Sequence, residues 1–320
     1  MKIMRFIGIV FALFSAGSPS DTSAQDSGKK YKVYMVSNSH LDTQWRWDVK
    51  ATIDDYLYNT AVQNLALLEK YPHYVFNFEG AVKYEWIKEY YPHLFERIRK
   101  FVADGRWNIS GASFEANDPN MPSSESFIRN ILLAQEFYKK EFGIKSKDMF
   151  LPDCFGFSQV MPTLGHHCGL IGFSTQKLSW RTEPLVGDSK TPFPIGLWEG
   201  VDGARIMVAL EPGRYSWNEF PEGDLSANEE LAESARKSPF GIAYRYYGNK
   251  LANGAGDHGG SALPRSIQLL EEGITNGKGP VQLVSATSSQ LYEDYMPYGN
   301  HPELPVFVGE MPLDVHAPGC

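Results

Sequence analysis

The sequence predicts an α/β fold built from parallel β-α-β units. Short runs of strand-forming residues alternate along the chain with stretches of helical apolar spacing. The residues that can do chemistry fall where those strands end: His40 and Asp42, Glu79, Glu115 and Asp118, Asp153, and the stretch from Lys177 to Arg181. Parallel sheets and barrels carry their active sites at that C-terminal edge, so one mouth can collect all of them. With 320 residues and 42% hydrophobic content, the chain can bury a sizeable core.

Taken in order, the first strand is Tyr31 to Val36. Its apolar run leads into Ser39-His40-Leu41-Asp42-Thr43-Gln44-Trp45-Arg46-Trp47. Thr52 to Lys70 has helical spacing (Ile53, Leu57, Ala61, Leu65, Leu68) and ends at Tyr71-Pro72. His73 to Phe78 reads as a strand. Lys83 to Tyr90 and Leu94 to Val102 read as two helices broken by Pro92. After a turn at Asp104-Gly105, Arg106 to Ile109 is a short strand that opens into the polar loop Gly111 to Ser124. A long helix is expected from Glu125 to Phe142, then a strand at Met149 to Leu151. A helix follows near Val160 to Cys168, with strands at Ile171 to Ser174 and Ala204 to Leu210. Phe240 to Gly259 is less patterned. Ser261 to Glu272 is a helix candidate, and Leu304 to Val315 alternates apolar residues.

The N-terminus reads as a signal peptide over residues 1–24. Lys2 and Arg5 form its positive region, Phe6 to Ala16 its apolar region, and Thr22-Ser23-Ala24 its cleavage site. The mature chain is therefore expected in the periplasm or outside the cell, with no membrane span after cleavage. A net charge of −8 argues against a nucleic-acid or anionic-membrane partner. The three cysteines, Cys154, Cys168 and Cys320, do not form a disulfide framework, although a Cys154–Cys168 bond stays open.

His40 and Asp42 lie two apart at a strand end, so their side chains point the same way. An imidazole beside a carboxylate is ligand chemistry for a divalent metal such as zinc. Trp45 and Trp47 follow, and an aromatic face next to a metal is a floor for a sugar ring; core packing is the plainer reading of both. Asp153, in Leu151-Pro152-Asp153-Cys154-Phe155-Gly156-Phe157-Ser158, is either a helix-capping residue or a carboxylate aimed into the mouth. Asp257, in Ala255-Gly256-Asp257-His258-Gly259-Gly260, is either a surface-turn residue or a carboxylate that glycines let approach a ligand. His316, near the end of the chain, reads as a structural histidine or a ligand. His166-His167-Cys168 looks metal-like, but on its helix it reads as structural.

Together these segments resemble glycoside hydrolase family 38, the α-mannosidases, in the branch found in bacteria and shared with cytosolic animal enzymes. The resemblance runs from about Lys32 to Cys320. It rests on HLDTQW, the block DPNMPSSES before a long helix, PDCFGFS, FSTQKLSW (Phe173 to Trp180), LWEGVDGARIMV (Leu197 to Val208), GDHGG and GEMPLDVHAPGC, in the family's order.

The resemblance implies a distorted, mostly parallel β/α barrel of about seven strands. The catalytic domain would span residues 30–255. Residues 256–320 would hold the start of a helical domain and a return strand carrying the last metal ligand. It implies one zinc, or another divalent ion such as cobalt or calcium, held by His40, Asp42, Asp153 and His316. Asp153 would also be the nucleophile of a retaining α-mannosidase that cleaves terminal α-mannosides of glycans. Asp257 would be the acid/base, with His258 the alternative at that position. Trp45 would underlie the mannose ring, Arg181 brace the nucleophile, and Asp118 bind substrate hydroxyls. Full members continue into further C-terminal domains, and the chain reads as a fragment of such a protein. The rival readings are a metal-dependent, deacetylase-like hydrolase acting on polysaccharides and a non-catalytic glycan-binding fragment.

Overall fold

The computed structural model describes residues 30–179, 191–214, 217–248 and 257–312. Its strands are β1 (Tyr31–Asn38), β2 (Phe76–Glu79), β3 (Trp107–Ser110), β4 (Asp148–Phe150), β5 (Gly172–Ser174), β6 (Ile195–Glu199), β7 (Arg205–Ala209), β8 (Ile242–Gly248), β9 (Val281–Ser285) and β10 (Val306–Val308). All pair in parallel except β6 with β7. The mixed α/β architecture with parallel strands is as the alternation predicts.

The strands do not form one closed barrel among the described residues. They divide into two five-stranded sheets, β3-β2-β1-β8 with β9 also on β1, and β10-β6-β7-β5-β4. Where β3 and β4 approach, Ala112 N donates to Asp148 O at 2.9 Å in place of a ladder. Gly111, at φ +67°, has already turned the chain out of β3. Across the other gap, Tyr246 N donates to Pro212 O at 2.8 Å. The edges therefore meet through isolated backbone bonds, and the register that a barrel requires is not continuous.

β1 is central because it is buried on both faces. Val33 and Met35 pack into the cluster under the helices, while Tyr34 and Val36 join the cluster shared by both sheets. β8 runs beside β1 over its whole length, from Lys32 opposite Ile242 to Asn38 opposite Gly248. β8 leaves little mark in the sequence, since a strand buried on both faces loses the alternation that marks a half-exposed one. Two of its three tyrosines find partners inside: the Tyr244 hydroxyl donates to Ser288 O at 2.9 Å, and the Tyr246 hydroxyl donates to Ser174 Oγ at 2.6 Å.

The helices follow the expected boundaries to within a few residues. Pro92 starts the helix Pro92–Ala103 rather than only breaking its predecessor, since a missing N–H costs nothing at the first position. Ser123 caps Ser124–Phe142 by accepting from Ser126 N at 3.2 Å, and Gly143, at φ 75°, ends it. The first helix carries a π turn at Thr52–Leu57 before Tyr58–Lys70. The helix Glu229–Arg236 was not expected. No described helix is long and apolar enough to cross a membrane.

One strand position depends on glycine for space. A Cβ on Gly172 would lie 1.9 Å from Tyr292 Cδ2. Tyr292 is fully buried, and its hydroxyl donates to Phe173 O at 2.9 Å, so the ring has nowhere to move. Gly172→Ala is expected to cost about 3 kcal/mol or more of stability. Thermal denaturation checks this; an unchanged midpoint would show that the ring repacks.

Candidate active site and metal centre

The site gathers at the ends of β1, β2, β4 and β5. His40 lies two residues beyond β1, and its ring is almost fully buried. Its Nε2 is 3.2 Å from Asp42 Oδ1 and 3.7 Å from Asp153 Oδ2. Its Nδ1 is 3.3 Å from Glu79 Oε1, at the end of β2. Glu79 Oε1 also lies 3.2 Å from Lys83 Nζ. On the far side, Asp153 Oδ1 is ion-paired with Lys177 Nζ, and Lys177 is only 2% exposed.

These contacts set the charge states. Burial alone pushes the His40 imidazole down, but hydrogen bonding to Asp42 and Glu79 and the nearby Asp153 charge win and raise it. Burial pushes the Glu79 carboxyl up, yet Lys83 and His40 together hold it at about 2. Glu115, in the loop after β3, is instead raised by burial. The centre thus favours positive charge among carboxylates, while a second carboxyl nearby favours its neutral form.

A separate segment closes the site from the other side. Asp42 N donates to Asp257 O at 3.0 Å, Gly259 N donates to His40 O at 2.9 Å, and Leu41 pairs with His258 in an antiparallel bridge. The segment is fixed below by Gly260 N donating to Thr60 Oγ1 at 2.8 Å and Asn64 Nδ2 donating to Gly260 O at 2.8 Å. Gly259 allows this approach, since a Cβ there would lie 2.3 Å from Thr60 Oγ1. Asp257 itself adopts φ 75°, a left-handed conformation that Asp tolerates better than most residues. One ligand atom from each of His40, Asp42 and Asp257 lies within 4.8 Å of the others. An imidazole nitrogen among carboxylate oxygens is a donor set that fits zinc or a similar divalent ion.

The structure separates Asp257 from its neighbour. The His258 ring stacks on Trp47 at 4.3 Å and meets Tyr56 edge-on at 4.9 Å. Trp47 Nε1 donates to Thr52 Oγ1 at 2.8 Å, so the π turn anchors this aromatic wall. Trp45 is 56% exposed, with the Arg46 guanidinium 4.2 Å from its ring centre. Of the two tryptophans, Trp45 is free to meet a ligand and Trp47 is a packing residue. Asp118 accepts from Asn120 N at 2.8 Å within its turn. That loop is tied to the Asp153 turn by Asn120 Nδ2 donating to Phe155 O at 3.3 Å and Cys154 Sγ to Asn117 O at 3.3 Å.

Arg181 and His316 lie outside the described residues. Among the described residues Asp153 is ion-paired with Lys177, which the sequence marked only as a strand-end residue. Lys83 was not singled out either; its signal was the four-residue spacing from Glu79. Cys154 and Cys168 are free thiols. His167 pairs with Asp202 at 2.8 Å on the surface, in keeping with a structural role.

The model of the glycosyl hydrolases family 38 N-terminal domain matches residues 30–310. α-Mannosidase G of Dictyostelium discoideum is 31% identical over 294 residues, covering 92% of this chain and 26% of its own length. α-Mannosidase 2C1 of Homo sapiens is 30% identical over 289 residues, covering 90% and 26%. The chain thus spans about a quarter of the length of these relatives. The crystal structure of an α-mannosidase from Enterococcus faecalis V583 matches in fold with a TM-score of 0.68 at 23% identity, over 88% of this chain and 31% of that one. A metal-compatible cluster at the strand ends, on a chain that one family's N-terminal domain matches almost from end to end, leads to one assignment: the chain belongs to glycosyl hydrolase family 38.

Proposed function

We propose that the chain is the N-terminal catalytic portion of an exported, zinc-dependent, retaining α-mannosidase acting on terminal α-mannosides of glycans. The observation that carries this reading is the convergence of His40, Asp42, Asp153 and Asp257 at one edge, with Lys177 on Asp153. His40, Asp42 and Asp153 would hold the metal together with His316. Met311, five residues before His316, pairs with Phe157 just past Asp153, with both backbone bonds at 2.9 Å. When bound, the metal supplies a Lewis-acidic centre for the ring hydroxyls of the sugar.

Asp153 attacks the anomeric carbon as the bond to the leaving oxygen breaks, and Asp257 gives that oxygen its proton. Asp257 then takes a proton from water, whose oxygen bonds to the anomeric carbon and releases Asp153. Two inversions give net retention. Lys177, ion-paired with Asp153 Oδ1, holds that carboxylate in place. Trp45 stacks under the ring, Arg181 braces the Asp153 carboxylate, and Asp118 binds substrate hydroxyls. The place of Asp257 within 4.8 Å of His40 and Asp42 gives a second reading, in which Asp257 is a metal ligand instead of the acid. Export rests on Lys2, Arg5 and the apolar run Phe6 to Ala16. Domains corresponding to the rest of the relatives' length would complete the cleft.

Elemental analysis of the purified protein beside an Asp42→Ala control tests the metal centre. About one zinc per chain is expected, lost in the control. Absence of metal from both proteins would overturn the reading. A covalent sugar adduct on Asp153 separates it from a deacetylase-like hydrolase, which forms none.

A further inference from the structure

His40 can serve as a ligand only if its ring is held in one tautomer and one orientation. The sheet register provides the partner. Asn38 of β1 lies opposite Asn77 of β2, so two residues further along, His40 stands beside Glu79. Glu79 Oε1 is 3.3 Å from His40 Nδ1, which leaves Nε2 facing Asp42 and Asp153. Gly80, at φ 89°, then turns the chain into the helix Ala81–Tyr90, which brings Lys83 Nζ to 3.2 Å from the same Glu79 oxygen. A Cβ on Gly80 would lie 3.3 Å from Lys83 Cε, so the turn closes tightly over the pair.

The side chains of Glu79 and Lys83 are 2% and 0% exposed. A buried ion pair is a poor source of stability, because removing both charges from water costs about as much as their attraction returns. Its placement behind an imidazole gives it a use that stability does not.

We propose that Glu79 and Lys83 form a buried clamp that positions His40 for metal binding. Glu79 accepts the Nδ1 proton of His40, so the Nε2 lone pair points at the metal position, and Lys83 fixes the Glu79 carboxylate. Both are positioning residues that act through His40. The inference rests on the metal reading above and extends it to residues that touch neither metal nor sugar.

The test is zinc affinity of the full chain, read by competition with a chromophoric chelator, with thermal unfolding of the same samples stripped of metal. The variants are Glu79→Gln, the double variant Glu79→Gln/Lys83→Met, and His40→Ala. Glu79→Gln is expected to weaken zinc binding about 10- to 100-fold. The double variant removes both buried charges; its unfolding midpoint is expected to recover to that of the parent while zinc binding stays weak. Should Glu79→Gln not fold, the double variant decides alone. Recovery of zinc binding together with stability would overturn the clamp, since the pair would then be structural only. Parental zinc affinity in Glu79→Gln, with loss in His40→Ala, would overturn the clamp and leave the metal reading standing. Parental affinity in His40→Ala would overturn both.

Discussion

Asp153→Ala is expected to lower hydrolysis of an aryl α-mannoside by about 10⁴-fold or more and to weaken metal retention in the same sample. Both effects follow from one carboxylate with two faces. Oδ2 lies 3.7 Å from His40 Nε2, toward the metal position, while Oδ1 is paired with Lys177. Removing it takes away the carboxylate paired with the Lys177 ammonium, which is 2% exposed, and is expected to lower stability as well. Asp153→Asn keeps the volume and an acceptor for Lys177, so it should fold better and be equally inactive. Initial rates, elemental analysis and circular dichroism on each protein separate the three consequences. With azide added to Asp153→Ala as an external nucleophile, a mannosyl azide of inverted configuration would identify the missing group as the nucleophile. Turnover close to that of the parent would remove Asp153 from the mechanism.

Asp257→Asn is the second large effect. Asparagine tolerates the left-handed φ of 75°, so the backbone at this position is kept. The bonds from Asp42 N and from Gly259 N use main-chain atoms only, so the segment stays zipped to the His40 strand end. What is lost is the carboxyl group that would donate the proton. For natural glycans, whose leaving alcohols need protonation, turnover is expected to fall by about 10²- to 10⁴-fold. Aryl mannosides with acidic leaving groups should be less affected in the first step, and zinc should remain bound. Loss of zinc instead would make Asp257 a ligand, as its approach to His40 and Asp42 allows. The acid would then be sought at Glu115, whose carboxyl burial already holds toward its neutral form.

Much of the site was legible because strand geometry is local. The two-residue spacing of His40 and Asp42 fixes a shared face whatever surrounds it, and parallel strands send their C-terminal ends to one edge. The motif order then identified the family. The partners that hold those side chains were less legible. Lys177 was assigned no part in bracing Asp153, although it is one residue past Gln176 in a quoted motif, because sequence does not show which side chains beyond a strand end turn inward. Glu79 was noted as a strand-end residue, but its pairing with His40 depends on the register of β2 against β1, which no local pattern encodes.

The sequence by itself determined the alternation of strands and helices, the edge where the chemistry gathers, and the family. Those follow from periodicity and from side chains placed within a few residues of one another. Only the tertiary structure decided that the strands divide into two sheets, that β8 lies along β1, and that His258 packs on Trp47 while Asp257 faces the cluster. Each of these depends on contacts between residues far apart in the chain, where burial on both faces removes the alternating pattern and a single backbone turn decides which neighbour looks inward.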